Sequence, residues 1–311
     1  MKIWIRSLLA ILVVGLLIWY LPKLDFEAIK TSLLQAHRDQ LALGVLLVLL
    51  TLFARSALLW RILKIRMKKL GYWTLTGINF VGAMMDQIIP GRSGVFARWG
   101  LLSLRAPQSK SFIFSAILFS ILIEGLGLLS LFFFSMALSP EVRNLAHWSV
   151  SLILILVVLG ILMGLFFSKH LEKFSKRFGF GNWSLVQSLF EVAHQVRSPW
   201  RFLNWWGIGM FGWMLQIVSV YYLSAAFDLK LTFFHAALLL LSLNLAILIP
   251  VIPGNIGTIQ LVISTLLAKL GFEAERALAF SIAYHAAQLI PVCLIGGTML
   301  IFFPRATSFE K

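Results

Sequence analysis

Pro90-Gly91-Arg92-Ser93-Gly94 and Pro253-Gly254-Asn255-Ile256-Gly257 are two copies of one Pro-Gly-x-x-Gly frame, 163 residues apart. Each closes an apolar run on an Ile-Pro pair, Ile89-Pro90 and Ile252-Pro253, and the second copy has a further proline at Pro250. Proline cannot continue a helix, because it lacks the N–H and its ring clashes with the preceding turn. An apolar run able to form a second helix follows each copy. The pattern predicts a helix that stops, a turned backbone and a new helix, with Pro90, Gly91, Gly94, Pro250, Pro253, Gly254 and Gly257 as the break residues. In hydrocarbon such a break strands backbone N–H and C=O groups, so it is tolerated only where protein buries it or water reaches it. Paired interruptions in two halves of a hydrophobic chain point to a transporter's binding site.

The rest of the composition agrees with a membrane setting. Hydrophobic residues make up 60% of the 311-residue chain and charged residues 13%, against roughly 45–50% and 25% in soluble domains. Runs of about 20 apolar residues, enough to cross a bilayer, are read at about 7–21, 41–60, 112–138, 148–167, 205–227 and 277–303. Lys2 and Arg6 before the first run imitate a secretory signal, but Tyr20-Leu21-Pro22-Lys23 offers no small-residue cleavage site, so a retained span is expected. The one cysteine, Cys293, excludes an internal disulfide and a cysteine metal site.

The expected fold is all-α and integral to the membrane, a polytopic helical bundle of two inverted repeats. The N-terminal repeat covers 1–140, with a re-entrant hairpin at about 72–105. The C-terminal repeat covers 141–311, with a cytoplasmic amphipathic segment at 169–204 and a re-entrant hairpin at about 232–271. Phe114-Ser115-Ala116-Ile117 and Phe280-Ser281-Ile282-Ala283 open the spans after the two breaks, which extends the repeat. With the N-terminus inside, 19 of the 27 Lys and Arg residues fall on inside segments and seven outside, with Arg55 within a span. That asymmetry predicts cytoplasmic N- and C-termini. The net charge of +15 then reflects topology and contact with an anionic leaflet, not nucleic acid. Residues 23–40 read as an interfacial amphipathic helix, with Phe26, Ile29, Leu33 and Leu34 on its apolar face. In 169–204, Trp183, Val186, Leu189, Phe190, Ala193 and Val196 share one face until Ser198-Pro199 ends it.

Charge within a span costs roughly 2.5–3.5 kcal/mol on insertion scales, so ionisable groups there face the protein interior and pair. The candidate substrate contacts are Arg92, Arg98, Glu124, Asp86, Asn255, Gln260 and His285. Guanidinium groups beside a helix start suit phosphate or carboxylate, through their fork of donors and the helix N-terminus. Arg92, Arg98 and Arg105 have a competing reading as interfacial anchors that snorkel to the membrane surface. Glu124 reads equally as a structural partner of an arginine, Arg98 being the expected one. His285 reads as a helix-contact residue or a proton relay. Arg55 is expected to pair with a carboxylate or to snorkel. No Gly-x-Ser-x-Gly, Gly-x-x-x-x-Gly-Lys or His-Glu-x-x-His motif occurs, which points away from hydrolase and ATP-driven chemistry.

Ile89-Pro90-Gly91-Arg92-Ser93-Gly94-Val95-Phe96-Ala97-Arg98 and Ile249-Pro250-Val251-Ile252-Pro253-Gly254-Asn255-Ile256-Gly257 resemble the two signature turns of the lysylphosphatidylglycerol synthase transmembrane-region family, whose members are called flippase-like. The resemblance covers nearly the whole chain, including Trp60-Arg61 and the Ala277–Gly297 span. It implies an inner-membrane protein that moves a polar or amphiphilic lipid between leaflets. Val95, Gln260 and Gly125 stand where the family usually has an acidic residue, a glutamate and an arginine. No soluble synthase domain is present in the sequence, so lipid aminoacylation is not carried over.

The expected function is a flippase for an anionic, isoprenoid-type or glycosylated lipid in a bacterial inner membrane, without enzyme activity and without a cofactor or metal. A lipid-biosynthesis enzyme or glycosyltransferase is the expected kind of protein partner. The alternatives are a membrane-embedded lipid-modifying enzyme and a non-transporting accessory subunit of a cell-envelope pathway.

Overall fold

The structure is a computed structural model that describes residues 26–89, 92–106, 110–145, 153–160, 164, 168–177, 183–196, 198–247 and 255–301. Among these residues the secondary structure is helical, without strands. The chain is an all-α, multi-pass membrane protein. Four helices are long and apolar enough to cross a bilayer: Arg38–Leu63, Lys110–Leu138, Pro199–Ala225 and Ala274–Ile301. They fall on four of the expected runs. The run 7–21 lies outside the described residues, and 148–167 is described only in part, with 153–160 helical.

In chain order the helices are α1 (Phe26–Gln35), α2 (Arg38–Leu63), α3 (Tyr72–Ile88), α4 (Ser93–Ser103), α5 (Lys110–Leu138), α6 (Pro140–Leu145), α7 (Ser168–Arg177), α8 (Ser184–Gln195), α9 (Pro199–Ala225), α10 (Phe233–Ile247), α11 (Thr258–Lys269) and α12 (Ala274–Ile301). The two Pro-Gly-x-x-Gly frames fall between α3 and α4 and between α10 and α11. Both apolar intervals are therefore broken helical pairs, as the prolines dictate.

Packing divides the chain into two units. One comprises Met1–Leu50, Phe80–Gly94 and Leu215–Ile301; the other comprises Thr51–Asn79, Val95–Met214 and Phe302–Lys311. The halves 1–140 and 141–311 rest on sequence matching, and the units rest on packing, so the two divisions describe different properties. Both Pro-Gly-x-x-Gly frames belong to the first unit. There α10 packs on α11, α11 on α12, and α12 on α1. Gly296 on α12 meets α3 so closely that an added Cβ would lie 2.7 Å from the Phe80 carbonyl oxygen. Lipid tails give helices no hydrophobic reason to associate, so close van der Waals packing over small residues holds such spans together.

The second unit has a continuous apolar core in which Leu58, Ile62, Phe112, Ile113 and Ala116 are fully buried. Helix α8 packs on α5, joined by a 2.9 Å hydroxyl pair between Ser111 and Ser184. This contact turns the expected face of α8 only slightly, since Ala193 and Val196 of that face are buried and Val186, Leu189 and Phe190 are half-buried. Ser188, Val192, Ala193 and Val196 are buried, whereas Trp183 is 64% exposed. The inward face was chosen by fit against α5, and periodicity alone cannot resolve a rotation of about one position on a helix with apolar residues on both sides. Pro199 also opens α9 as its first residue, a position where its missing N–H costs nothing. In α1, Ile29 is buried but Leu34 is 73% exposed, in keeping with an interfacial helix; the Phe26 side chain lies outside the described residues.

Candidate functional site

The first break is held by its own side chains. Arg92 has φ 55°, in the left-handed region that costs an L-residue roughly 1–2 kcal/mol. Helix α4 starts at the next residue. The Ser93 hydroxyl shares its hydrogen between the Met85 carbonyl at 2.7 Å and that of Ile89 at 3.0 Å, a side-chain donor at the end of α3, where the Met85 carbonyl also accepts the Ile89 N–H. The Gly94 N–H donates to Asp86 Oδ1 at 2.8 Å. Gly94 also stands where the two chain segments approach tightly: an added Cβ would lie 2.1 Å from the Gly82 carbonyl oxygen and 2.3 Å from Asp86 Oδ2. The N-terminus of α4 was expected to receive a ligand anion. The protein supplies that anion itself, as the Asp86 carboxylate. Arg92 is exposed, and its guanidinium has no hydrogen-bond or ion-pair partner among the described residues.

The second break repeats the φ of the third residue and differs beyond it, since α4 starts at Ser93 whereas α11 starts only at Thr258. Asn255 has φ 55° and Gly257 has φ 84°. Asparagine tolerates the left-handed region better than most residues, and Gly257 is free of the Cβ clash. The Gly257 N–H donates to Gln260 Oε1 at 2.7 Å, so Gln260 reaches back over the start of α11. Its Nε2 lies 3.2 Å from His285 Nδ1 on α12. The glutamine that departs from the family pattern thus joins the break to the last span.

Glu124 pairs elsewhere than expected. Arg98 was its anticipated partner; the ion pair in the structure is with Arg55, at 3.5 Å between Nε and Oε2. The Arg55 guanidinium also stands over the Trp213 ring, 4.8 Å from its centroid, and Trp213 Nε1 donates to the Glu124 carbonyl at 2.7 Å. Three spans, α2, α5 and α9, meet here. Small residues permit it, since a Cβ on Gly209 would lie 3.3 Å from the Ile123 carbonyl oxygen. Trp213 was not foreseen; its signal is the Gly207-Ile208-Gly209-Met210-Phe211-Gly212 run before it, whose spacing marks a close helix contact.

The seven candidate contacts therefore separate. Asp86, Arg92, Asn255, Gln260 and His285 belong to the first unit, with Asp86 tied to Gly94 and Gln260 to Gly257 and His285. Arg98 and Glu124 belong to the second. Of the break residues, Gly94 and Gly257 carry the roles just described, and Pro90, Gly91, Pro250, Pro253 and Gly254 lie outside the described residues. Arg105, expected at the membrane surface, is only 5% exposed. In the segment before α8, the Lys176 hydrogen bond is the first cause holding the Glu172 carboxyl below its ordinary value; burial opposes it, and the charges of Lys176 and His194 assist.

The family model described as lysylphosphatidylglycerol synthase TM region matches residues 6–296, across both breaks. The chain belongs to this family. As a member of the lysylphosphatidylglycerol synthase TM region family, it is a membrane protein related to lipid modification or transport. Neither curated proteins nor solved structures gave a match.

Proposed function

We propose that the protein moves an anionic, isoprenoid-type or glycosylated lipid between the leaflets of a bacterial inner membrane, as a transporter without enzyme activity or cofactor. The observation that carries this reading is Arg92, a charged residue in strained backbone at a helix break, with no hydrogen-bond or ion-pair partner among the described residues. Strain kept at one residue calls for a function, and a guanidinium without an anion in an apolar chain calls for a ligand that brings one. A lipid phosphate supplies it. Arg92 would hold the headgroup, while Asn255 and Gln260 offer polar groups at the matching break. The repeats 1–140 and 141–311, inverted with both termini cytoplasmic, would give alternating access by rocking. A lipid-biosynthesis enzyme or glycosyltransferase would deliver the cargo.

Reconstitution in vesicles carrying headgroup-labelled phosphatidylglycerol tests this. Wild-type protein should expose inner-leaflet label to a membrane-impermeant quencher, and Arg92→Gln should slow that exposure about tenfold without changing the protein's thermal transition. Equal rates in protein-free vesicles and in those with wild type would overturn the reading for this lipid class. Wild-type rates in Arg92→Gln would remove Arg92 from it.

A further inference from the structure

The second unit contains a cleft of about 760 Å³ that neither break shares. Two spans end at it. Trp60, Arg61 and Lys64 come from the last turns of α2 and just beyond, and Trp200, Arg201 and Trp205 come from the first turns of α9. A volume of this size fits a small molecule or a headgroup, within the range of roughly 300–1,000 Å³ for ligand pockets.

The three cations are oriented without being neutralised. Arg61 donates to the side-chain oxygen of Asn204, Arg201 donates to that of Gln195, and Lys64 donates to the Lys68 carbonyl. Each acceptor is uncharged, and no carboxylate is among the described residues that line the cleft. Lys64 also stands 5.1 Å from the centroid of the Trp60 ring, and Trp60 is itself fixed by a 2.8 Å bond from Nε1 to the Leu70 carbonyl. Three like charges converging on one space repel one another unless an anion enters. Trp205 is buried as part of the wall, whereas Trp200 is 82% exposed at the rim.

We propose that this cleft is a second anion site, which holds a phosphate group between Arg61, Lys64 and Arg201 while the indoles cover the carbon atoms that carry it. Two guanidinium forks favour the tetrahedral oxygens of phosphate over a point anion. The bearer is either a phospholipid headgroup at the membrane boundary, where these two spans end, or a soluble phosphate ester.

The test uses full-length protein in nanodiscs of phosphatidylcholine, titrated with inorganic pyrophosphate by calorimetry. A parallel arm uses phosphatidylcholine with added phosphatidylglycerol and counts retained lipid by native mass spectrometry. Arg61→Gln with Arg201→Gln should weaken binding about tenfold in at least one arm. Lys69→Gln with Lys173→Gln removes equal charge from exposed positions outside the cleft and should leave it unchanged, and every protein compared carries Arg92→Gln, so that anion binding at the proposed transport site is not counted. Trp200→Leu, which keeps every charge, should weaken binding several-fold. An effect confined to pyrophosphate identifies a soluble ester, and one confined to phosphatidylglycerol identifies a lipid. The proposal is overturned if neither probe binds, or if the two paired glutamine variants lose affinity equally.

Discussion

Arg92 and Asn255 share one positive backbone angle, φ 55° at each, although 163 residues separate them. Each is the third residue of its Pro-Gly-x-x-Gly frame. Glycine removes the Cβ conflict at such a position, and a β-branched residue worsens it. Arg92→Gly and Asn255→Gly should therefore fold at least as well as wild type in detergent. Asn255→Val should lose about 1–2 kcal/mol, read as a lower thermal transition. A valine variant as stable as wild type would mean that the turn does not depend on this angle.

Asp86 and Gly94 make a second, separable prediction. Asp86→Ala leaves the Gly94 N–H without its acceptor, a loss of about 1–3 kcal/mol. Asp86→Asn keeps an acceptor and loses only the charge, so its cost should stay below about 1 kcal/mol. Gly94→Ala should be worse than either, because its Cβ meets the backbone oxygen of Gly82 as well as the Asp86 carboxylate, and the backbone cannot swing aside. Thermal unfolding of the three variants gives the order directly.

The Gln260 bonds fix the tautomer of His285. Gly257 can only donate, so it takes Oε1, and the remaining Nε2 can only donate to His285 Nδ1. The ring hydrogen of neutral His285 then sits on Nε2. Gln260→Glu replaces that donor with an acceptor and should move the hydrogen to Nδ1. Nitrogen chemical shifts of labelled His285 report the change; the same tautomer in both proteins would show that the Gln260 bond does not set it.

Arg55 and Glu124 should behave as a coupled pair. Glu124→Ala leaves the guanidinium unpaired within a span and should cost about 1–3 kcal/mol, less than the roughly 3–5 of a fully buried pair because Arg55 is 33% exposed. Arg55→Met with Glu124→Leu should recover most of that loss. Additive losses in this cycle would show that the two charges do not interact.

Glu172 gives a pH dependence. Its folded-state pKa is lowered, first by the Lys176 hydrogen bond, so its contribution is present above the ordinary carboxylate value of about 4.3. It is lost as pH falls through the lower folded value. A spin label at Leu171 should be more mobile in Glu172→Gln than in wild type near neutral pH, and equally mobile in both at about pH 3. A difference that persists in acid would assign it to packing.

The four described spans and both breaks were legible because each is written locally, in a run of about 20 apolar residues or in a proline beside a glycine. The Asp86 bond was not legible, although it spans only eight residues, because an aspartate near a helix start reads equally as a ligand contact. Glu124 shows a different limit. Arg98 and Arg55 were both available on apolar segments, and choosing between them required knowing which helices meet. Gly209 and Gly212 on α9 carry that information as spacing, without naming the partner they admit. The buried stripe of α8 was placed only to within about one position for the same reason: an apolar face specifies burial, and the neighbour specifies rotation.

The bonds that keep each break in shape have a bearing on how the chain could be divided. Asp86 and Ser93 act within residues 85–94, and Gln260 and His285 act within 257–285. Neither set reaches across residue 140. Other contacts do cross that point, α12 on α1 and Gly296 against Phe80 in the first unit, and Arg66–Glu191 and Trp213–Glu124 in the second. Two polypeptides made separately, ending and beginning near residue 146, would each carry one complete break, and their reassembly would depend on these crossing contacts in both units. Fragment complementation would then be lost on Glu191→Ala and Trp213→Ala while the uncut protein still folds, and the two breaks would act as parts that a divided gene can encode independently.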